Sequence, residues 1–213
     1  MPDISLGVVI VLVTALGYMS NWLNWRYLNY GMVRFLYYIG ALVHETSHAI
    51  VCIFTGAKIE EFTVFSDQPR VVHRQSRLPI LGEPLISFAP IAGGLLFLFL
   101  VNHYLLGNYF TVPPLSSWHD WQAILLEPWV LLAQINFLQW QSWIMILLFF
   151  NVGAMLGPSF RDLKNVWLVL IILFFITSPW LVEAGFTALS LIVINIILQM
   201  VVIFCAKITV WIV

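Results

Sequence analysis

The sequence predicts an all-α integral membrane protein with about six transmembrane helices and a small β-hairpin between the second and third. Three observations carry this expectation. Of the 213 residues, 62% are hydrophobic and only 9% are charged, where a soluble domain carries about 25% charged residues. The mean hydropathy is +0.96, and the apolar residues fall in runs of about 20, the length that crosses a bilayer as a helix. Residues 57–83 interrupt that pattern with a charged, β-branched and aromatic stretch. Nothing of size is left over for a soluble domain, so residues 1–213 read as one membrane-embedded domain whose first partner is the lipid bilayer. A net charge of −1 gives no ground for nucleic-acid binding.

Residues 4–23 form the first expected span. The start of the chain has no basic stretch and no small-residue cleavage site follows it, so the run reads as a helix that is kept. Asn21 to Arg34 is an aromatic connection, with Trp22, Trp25, Tyr27 and Tyr30 at interfacial level and Arg26 and Arg34 reaching to headgroups. Residues 33–56 form the second span, closed by Gly56 as a C-terminal cap. In residues 58–74, Lys58 to Phe65 and Arg70 to Arg74 flank the turn-forming Ser66-Asp67-Gln68-Pro69, which predicts a β-hairpin.

The third span is 84–106, with Pro90, Gly93 and Gly94 early in it. Proline there frees backbone carbonyls that need partners, and the small residues allow close helix approach. Residues 107–133 are Trp-rich. Ser117-Trp118-His119-Asp120 reads as a capping box opening a short interfacial helix, and Glu127-Pro128 argues against a full span. The fourth, fifth and sixth spans are expected at 135–157, 166–184 and 187–206. Cys52 and Cys205 lie in apolar runs and read as buried free thiols.

Basic residues orient such a chain. With six spans, Lys58, Arg70, Arg74, Arg77, Arg161, Lys164 and Lys207 fall on one side, and Arg26 and Arg34 on the other. That places both termini in the cytosol. His48, eight residues before Gly56, then lies about 12 Å below the cytosolic end of its helix.

The chemistry is concentrated in His44-Glu45-Thr46-Ser47-His48, inside an otherwise apolar run. Ionisable groups in the middle of a membrane helix cost several kcal/mol each unless paired. Residues four apart share one helix face, so His44 and His48 can address one metal ion. Glu45, beside the first, is positioned to deprotonate a water that the metal activates. This is the zincin pattern, H-E-x-x-H on a helix. Such a site needs a third protein ligand. Asp162, Glu83, Glu127, Glu183, His103 and His119 are the candidates, of which Glu83 and Asp162 fall on the expected side.

On these motifs the chain resembles the site-2 protease family of intramembrane zinc metalloproteases, in its compact form without a PDZ domain. The resemblance covers about 33–165. It rests on His44 to His48, Gly56, the β-rich segment, Ala89-Pro90-Ile91-Ala92-Gly93, and an Asn151, Pro158, Asp162 element. It departs from the family pattern where Asn151 and Pro158 are seven apart, where Leu163 follows the aspartate, and where Gly93 replaces an asparagine. The resemblance implies zinc held by His44, His48 and Asp162, with Glu45 as catalytic base, hydrolysing peptide bonds in or near transmembrane segments of membrane-protein substrates. The hairpin 58–74 would hold an unwound substrate by strand addition. Three other readings are a prenyl-peptide-type intramembrane zinc protease using Glu83, a non-proteolytic metal-binding membrane protein, and an inactive scaffold that binds transmembrane helices.

Overall fold

The computed structural model describes residues 6–27, 37–64, 66, 69–111, 120–157, 162, 168, 171–172 and 178–212. Most of these are helical. Helices α1 (Leu6–Tyr27) and α2 (Tyr38–Thr55) precede strands β1 (Ile59–Thr63) and β2 (Arg70–His73). Then follow α3 (Gly82–Leu100), a π-helical turn (Val101–Leu105), α4 (Asp120–Ala133), α5 (Trp140–Met155) and α6 (Pro179–Ile212).

Among the described residues, three stretches are long and apolar enough to cross a membrane: Leu6–Leu23, Gly82–Leu105 and Trp180–Cys205. They correspond to the first, third and last expected spans. Helix α5 is apolar but shorter, its 16 residues reaching about 24 Å. It starts at Trp140, not at 135. Asn136 explains the late start, since its side chain accepts from the Leu138 N–H at 3.0 Å while its own N–H donates to Ser142 Oγ at 2.9 Å. That side-chain turn competes with helix.

Helix α4 covers 14 described residues and continues through Pro128. Its capping-box residues Ser117 to His119 lie outside the described residues. So do Tyr30, Arg34 and residues 166–167, 169–170 and 173–177 of the expected fifth span. The expected break between spans five and six, at 184–187, is corrected: α6 is one helix of 34 residues. Its start is set at Ser178-Pro179, where the Ser178 carbonyl accepts from Leu181 and Val182 and proline suits the first helical position. Helix α1 likewise runs to Tyr27, so Asn21 to Tyr27 is helix, not connection.

Helices α1 and α6 lie side by side and parallel. Gly185 faces Leu6 and Val9, and Ser20 Oγ donates to Asn195 Oδ1 at 3.1 Å. Gln199 Nε2 donates to Ser20 Oγ at 2.8 Å, and Lys207 Nζ sits 5.1 Å from the centre of the Tyr27 ring. Asn195 extends this polar seam to α5 through the Phe150 carbonyl at 2.6 Å. Around the seam packs the apolar core, including Val9, Val13, Val152, Leu156, Phe186 and Ile192.

The contacts set the relative direction of the helices. Parallel α1 and α6 put Leu6 and Lys207 at opposite ends of the pair, and Arg26 shares an end with Lys207. Helix α5 runs parallel to α6, with Gly153 against Leu191 and Asn195 and Ala154 in the cluster that takes in Leu198 and Val202. Helix α2 runs parallel to α5, as the contacts at Gly40 and His44 below require. Every described lysine and arginine, namely Arg26, Lys58, Arg70, Arg74, Arg77 and Lys207, therefore falls toward the end of the bundle that carries the hairpin.

The hairpin is antiparallel, with Glu61 opposite Val72, Phe62 opposite Val71 and Thr63 opposite Arg70. Its register shifts between Ile59 and Glu61, which places a bulge at Glu60. Arg70 is bidentate on Glu61, at 2.9 Å to each oxygen, and holds that carboxyl below the usual carboxylate range. Arg74 pairs with Glu60. Ile59 and Val71 pack on the buried cluster of Cys52, Ala57 and Ile86, which seats the hairpin on the C-terminal end of α2. Cys52 is buried, as expected, whereas Cys205 is exposed, on a helix whose outer face in a bilayer meets lipid.

Candidate metal centre

Helix α2 ends in a Schellman motif. Gly56 takes the left-handed conformation at φ 70°, the Ala57 N–H bonds the Cys52 carbonyl at 2.8 Å, and the Gly56 N–H bonds Ile53 at 3.2 Å. One face of the helix carries Gly40, His44, Ser47 and His48 into the protein. Two close approaches fix that face. A Cβ on Gly40 would lie 2.1 Å from the Asn151 carbonyl oxygen, and one on Gly93 would lie 2.0 Å from Ser47 Oγ. Glycine at 40 thus lets α5 touch α2, and glycine at 93 lets α3 do so. One turn beyond the first contact, His44 meets Met155.

His44, Glu45, His48 and Asp162 are 7–9% exposed. The two imidazole centroids are 4.9 Å apart, with Nε2 to Nε2 at 3.2 Å. Asp162 Oδ1 lies 3.6 Å from His48 Nε2, and Oδ2 lies 3.9 Å from His44 Nε2. Each ring is oriented from behind: His44 Nδ1 donates to the Met155 carbonyl and His48 Nδ1 to the Ile86 carbonyl, both at 2.8 Å. A carbonyl only accepts, so Nδ1 carries the proton in both rings and a neutral ring leaves a lone pair on Nε2. Met155 is the last residue of α5, where helix carbonyls have no intrahelical partner.

The chemistry of the donor set follows. Two lone pairs and a carboxylate converge in a buried space, an arrangement of acceptors that can hold a cation. Donors 2.0–2.1 Å from one tetrahedral ion are about 3.4 Å apart, and the separations here are 3.2, 3.6 and 3.9 Å. Among the described residues these three form the group of His, Cys, Asp or Glu side chains that can hold a metal ion. The nitrogen and oxygen donors suit a first-row divalent ion.

Glu45 stands beside the cluster without joining it. Its carboxylate reaches the Val71 N–H of β2. Strand parity explains why that donor is free for it. Arg74 N–H bonds the Lys58 carbonyl at 2.9 Å, and alternate residues of β2 point their N–H groups toward β1. Val71 and His73 therefore point theirs away from β1, so the unpaired edge of β2 faces Glu45.

The remaining candidates are elsewhere. Glu83 sits in the first turn of α3, accepting from the Ser76 N–H at 3.1 Å and lying 4.0 Å from His73 Nδ1. Glu127 is buried on α4, where Thr187 Oγ1 donates to it at 3.5 Å. Glu183 is exposed on α6. His103 is exposed, 3.0 Å from Asn108 Oδ1. His119 lies outside the described residues, as do Pro158, Arg161 and Lys164. Asp162 itself is helical again after α5 ends at Met155. The residues that sequence reasoning missed are Ile86, Met155 and Val71, which act through backbone groups and carry no side-chain signature. No family model, curated protein or solved structure matches this chain.

Proposed function

We propose that this chain is an intramembrane zinc metalloendopeptidase of the site-2 type, cutting transmembrane protein or peptide substrates in or near their membrane-spanning segments. The observation that carries the reading is the convergence of His44 Nε2, His48 Nε2 and Asp162 with an acid, Glu45, adjoining them on α2. Zinc held by these three residues would supply Lewis acidity, polarising a peptide carbonyl and acidifying water at the site. Everything else is the work of the chain. Glu45 takes the proton of the attacking water and returns it to the leaving amine nitrogen. The Met155 and Ile86 carbonyls hold the imidazoles in the ligating tautomer.

A substrate helix hides its carbonyls in hydrogen bonds, so it must be extended before it is cut. The unpaired edge of β2 offers the His73 N–H to such a segment, and the Val71 N–H once Glu45 gives it up. A strand pairing there runs past Glu45. The gathering of basic residues at the hairpin end favours that end as cytosolic, which sets the site nearer the cytosolic side. Engagement of Glu83 by Ser76, away from the histidines, favours the site-2 reading over a prenyl-peptide protease with glutamate as third ligand.

The test compares membranes that contain wild-type protein with membranes that contain Glu45→Gln. New protein N-termini within or beside transmembrane segments, present with wild type and absent with Glu45→Gln, are expected. Identical sets of termini would overturn the proteolytic reading in favour of metal binding alone.

A further inference from the structure

We propose that Pro90 is a positioning residue for His48: by withholding a backbone N–H it leaves the Ile86 carbonyl to His48 Nδ1, and so turns the Nε2 lone pair into the site. The inference rests on the metal reading above and concerns how the chain prepares one ligand.

The argument begins with the helical ladder. In α3 the carbonyl of residue 86 would bond the N–H of residue 90. Residue 90 is proline, inside the helix, and has no N–H. Its ring also crowds the carbonyl four residues back, tilting it off the helix axis. A backbone carbonyl left without a partner in a buried apolar setting costs several kcal/mol. The freed group does not go unused, because His48 Nδ1 donates to it at 2.8 Å.

Geometry makes the pairing specific. Gly93 lets α3 approach Ser47, adjacent to His48, and Ile86 and Ser87 are buried at the same contact. With the Nδ1 proton fixed on Ile86, the His48 tautomer that presents Nε2 is selected before any metal arrives. If residue 90 had an N–H, it would compete for the same carbonyl from within the helix. His48 would then populate the other tautomer, with its proton on Nε2 pointing at His44 and Asp162.

Pro90→Ala in the full-length protein tests this. Zinc affinity, measured by chelator competition, is expected to fall about 10- to 100-fold, the usual effect of losing such a supporting contact. Thermal stability in detergent is expected not to fall, since alanine repairs the ladder. In metal-free protein, histidine 15N spectra are expected to gain a His48 signal protonated on Nε2. Pro128→Ala, the same change within α4, is expected to leave affinity unchanged. An alanine-sized ester residue at position 90 lacks the N–H without the ring, and is expected to restore wild-type affinity. It also decides the question if Pro90→Ala folds poorly. Unchanged affinity and tautomer in Pro90→Ala, or an ester variant as weak as Pro90→Ala, would overturn the proposal. If wild type binds no zinc at all, the metal reading fails by itself, and the tautomer spectra still decide the role of Pro90.

Discussion

Gly93→Ala should weaken the site more than a single methyl suggests. The added Cβ would lie 2.0 Å from Ser47 Oγ and 2.7 Å from Ser47 Cβ. The hydroxyl can rotate, at the loss of its 2.6 Å bond to the Val43 carbonyl, but the Cβ cannot. Carbon atoms pack at about 3.5–4.0 Å, so α2 and α3 must separate by roughly 1 Å at this point. That stretches the 2.8 Å bond from His48 to Ile86 beyond hydrogen-bonding distance. Overpacking of this kind costs about 1–3 kcal/mol. Stability should fall by that amount in reversible unfolding in detergent, and zinc affinity should fall with it. Ser47→Gly in the same chain removes the colliding atoms and should recover most of the affinity, leaving the roughly 1 kcal/mol helical cost of glycine. A Gly93→Ala protein with wild-type stability and zinc affinity would refute the close α2–α3 contact. A double variant no better than Gly93→Ala would refute Ser47 as its partner.

Glu45→Gln should keep its zinc and lose all cleavage, checked by metal content and substrate turnover on the same preparation; zinc lost along with activity would make Glu45 a ligand. Asp162→Ala should weaken zinc binding sharply and Asp162→Asn less, measured by chelator competition, because the amide oxygen is a poorer, neutral donor. Cysteines at Ser66 and Lys207 should react with an impermeant thiol reagent from the cytosolic side, and one at Leu138, 95% exposed ahead of α5, from the opposite side. Opposite labelling of Ser66 and Lys207 would break the parallel arrangement of α2, α5 and α6.

The sequence made some parts of this molecule legible because their signals are local. Four-residue spacing put His44 and His48 on one face, and Gly56 marked the helix end. Alternation flanking Ser66 to Pro69 marked the hairpin. Asp162 was reached through the family resemblance, with Glu83 standing beside it as an alternative on spacing and side alone. Other parts depend on tertiary contacts that hydropathy does not encode. Gly185 falls between the bounds of two expected spans, but in place it is the residue that lets α6 lie on Leu6 and Val9. Asn136 looks like part of an apolar run until its turn to Ser142 is seen. The orientation was counted from six spans, and the seam of Ser20, Asn195 and Gln199 that sets α1 parallel to α6 has no signature in a charge count.

The irregular backbone around the site and the histidines within it depend on each other. At membrane depth a freed carbonyl is tolerated only where another group in the protein takes it. Helix α5 stops at Met155 and α3 continues past Pro90 without that residue's N–H, and each leaves one carbonyl where an imidazole N–H can reach it. The rings therefore serve two masters: Nδ1 closes a gap in the backbone, and Nε2 faces the metal position. Alanine at 44 or 48 removes both services at once. Such variants should lose metal and also expose an orphaned carbonyl, a cost of about 1–3 kcal/mol beyond the lost binding energy. Asparagine at either position keeps an N–H donor on a shorter side chain, and where it reaches the carbonyl it should recover part of the stability without the metal. Measured in metal-free protein, that difference between alanine and asparagine separates the structural role of each histidine from its role as a ligand. Equal stabilities for wild type, alanine and asparagine would mean that the two carbonyls find partners without the rings.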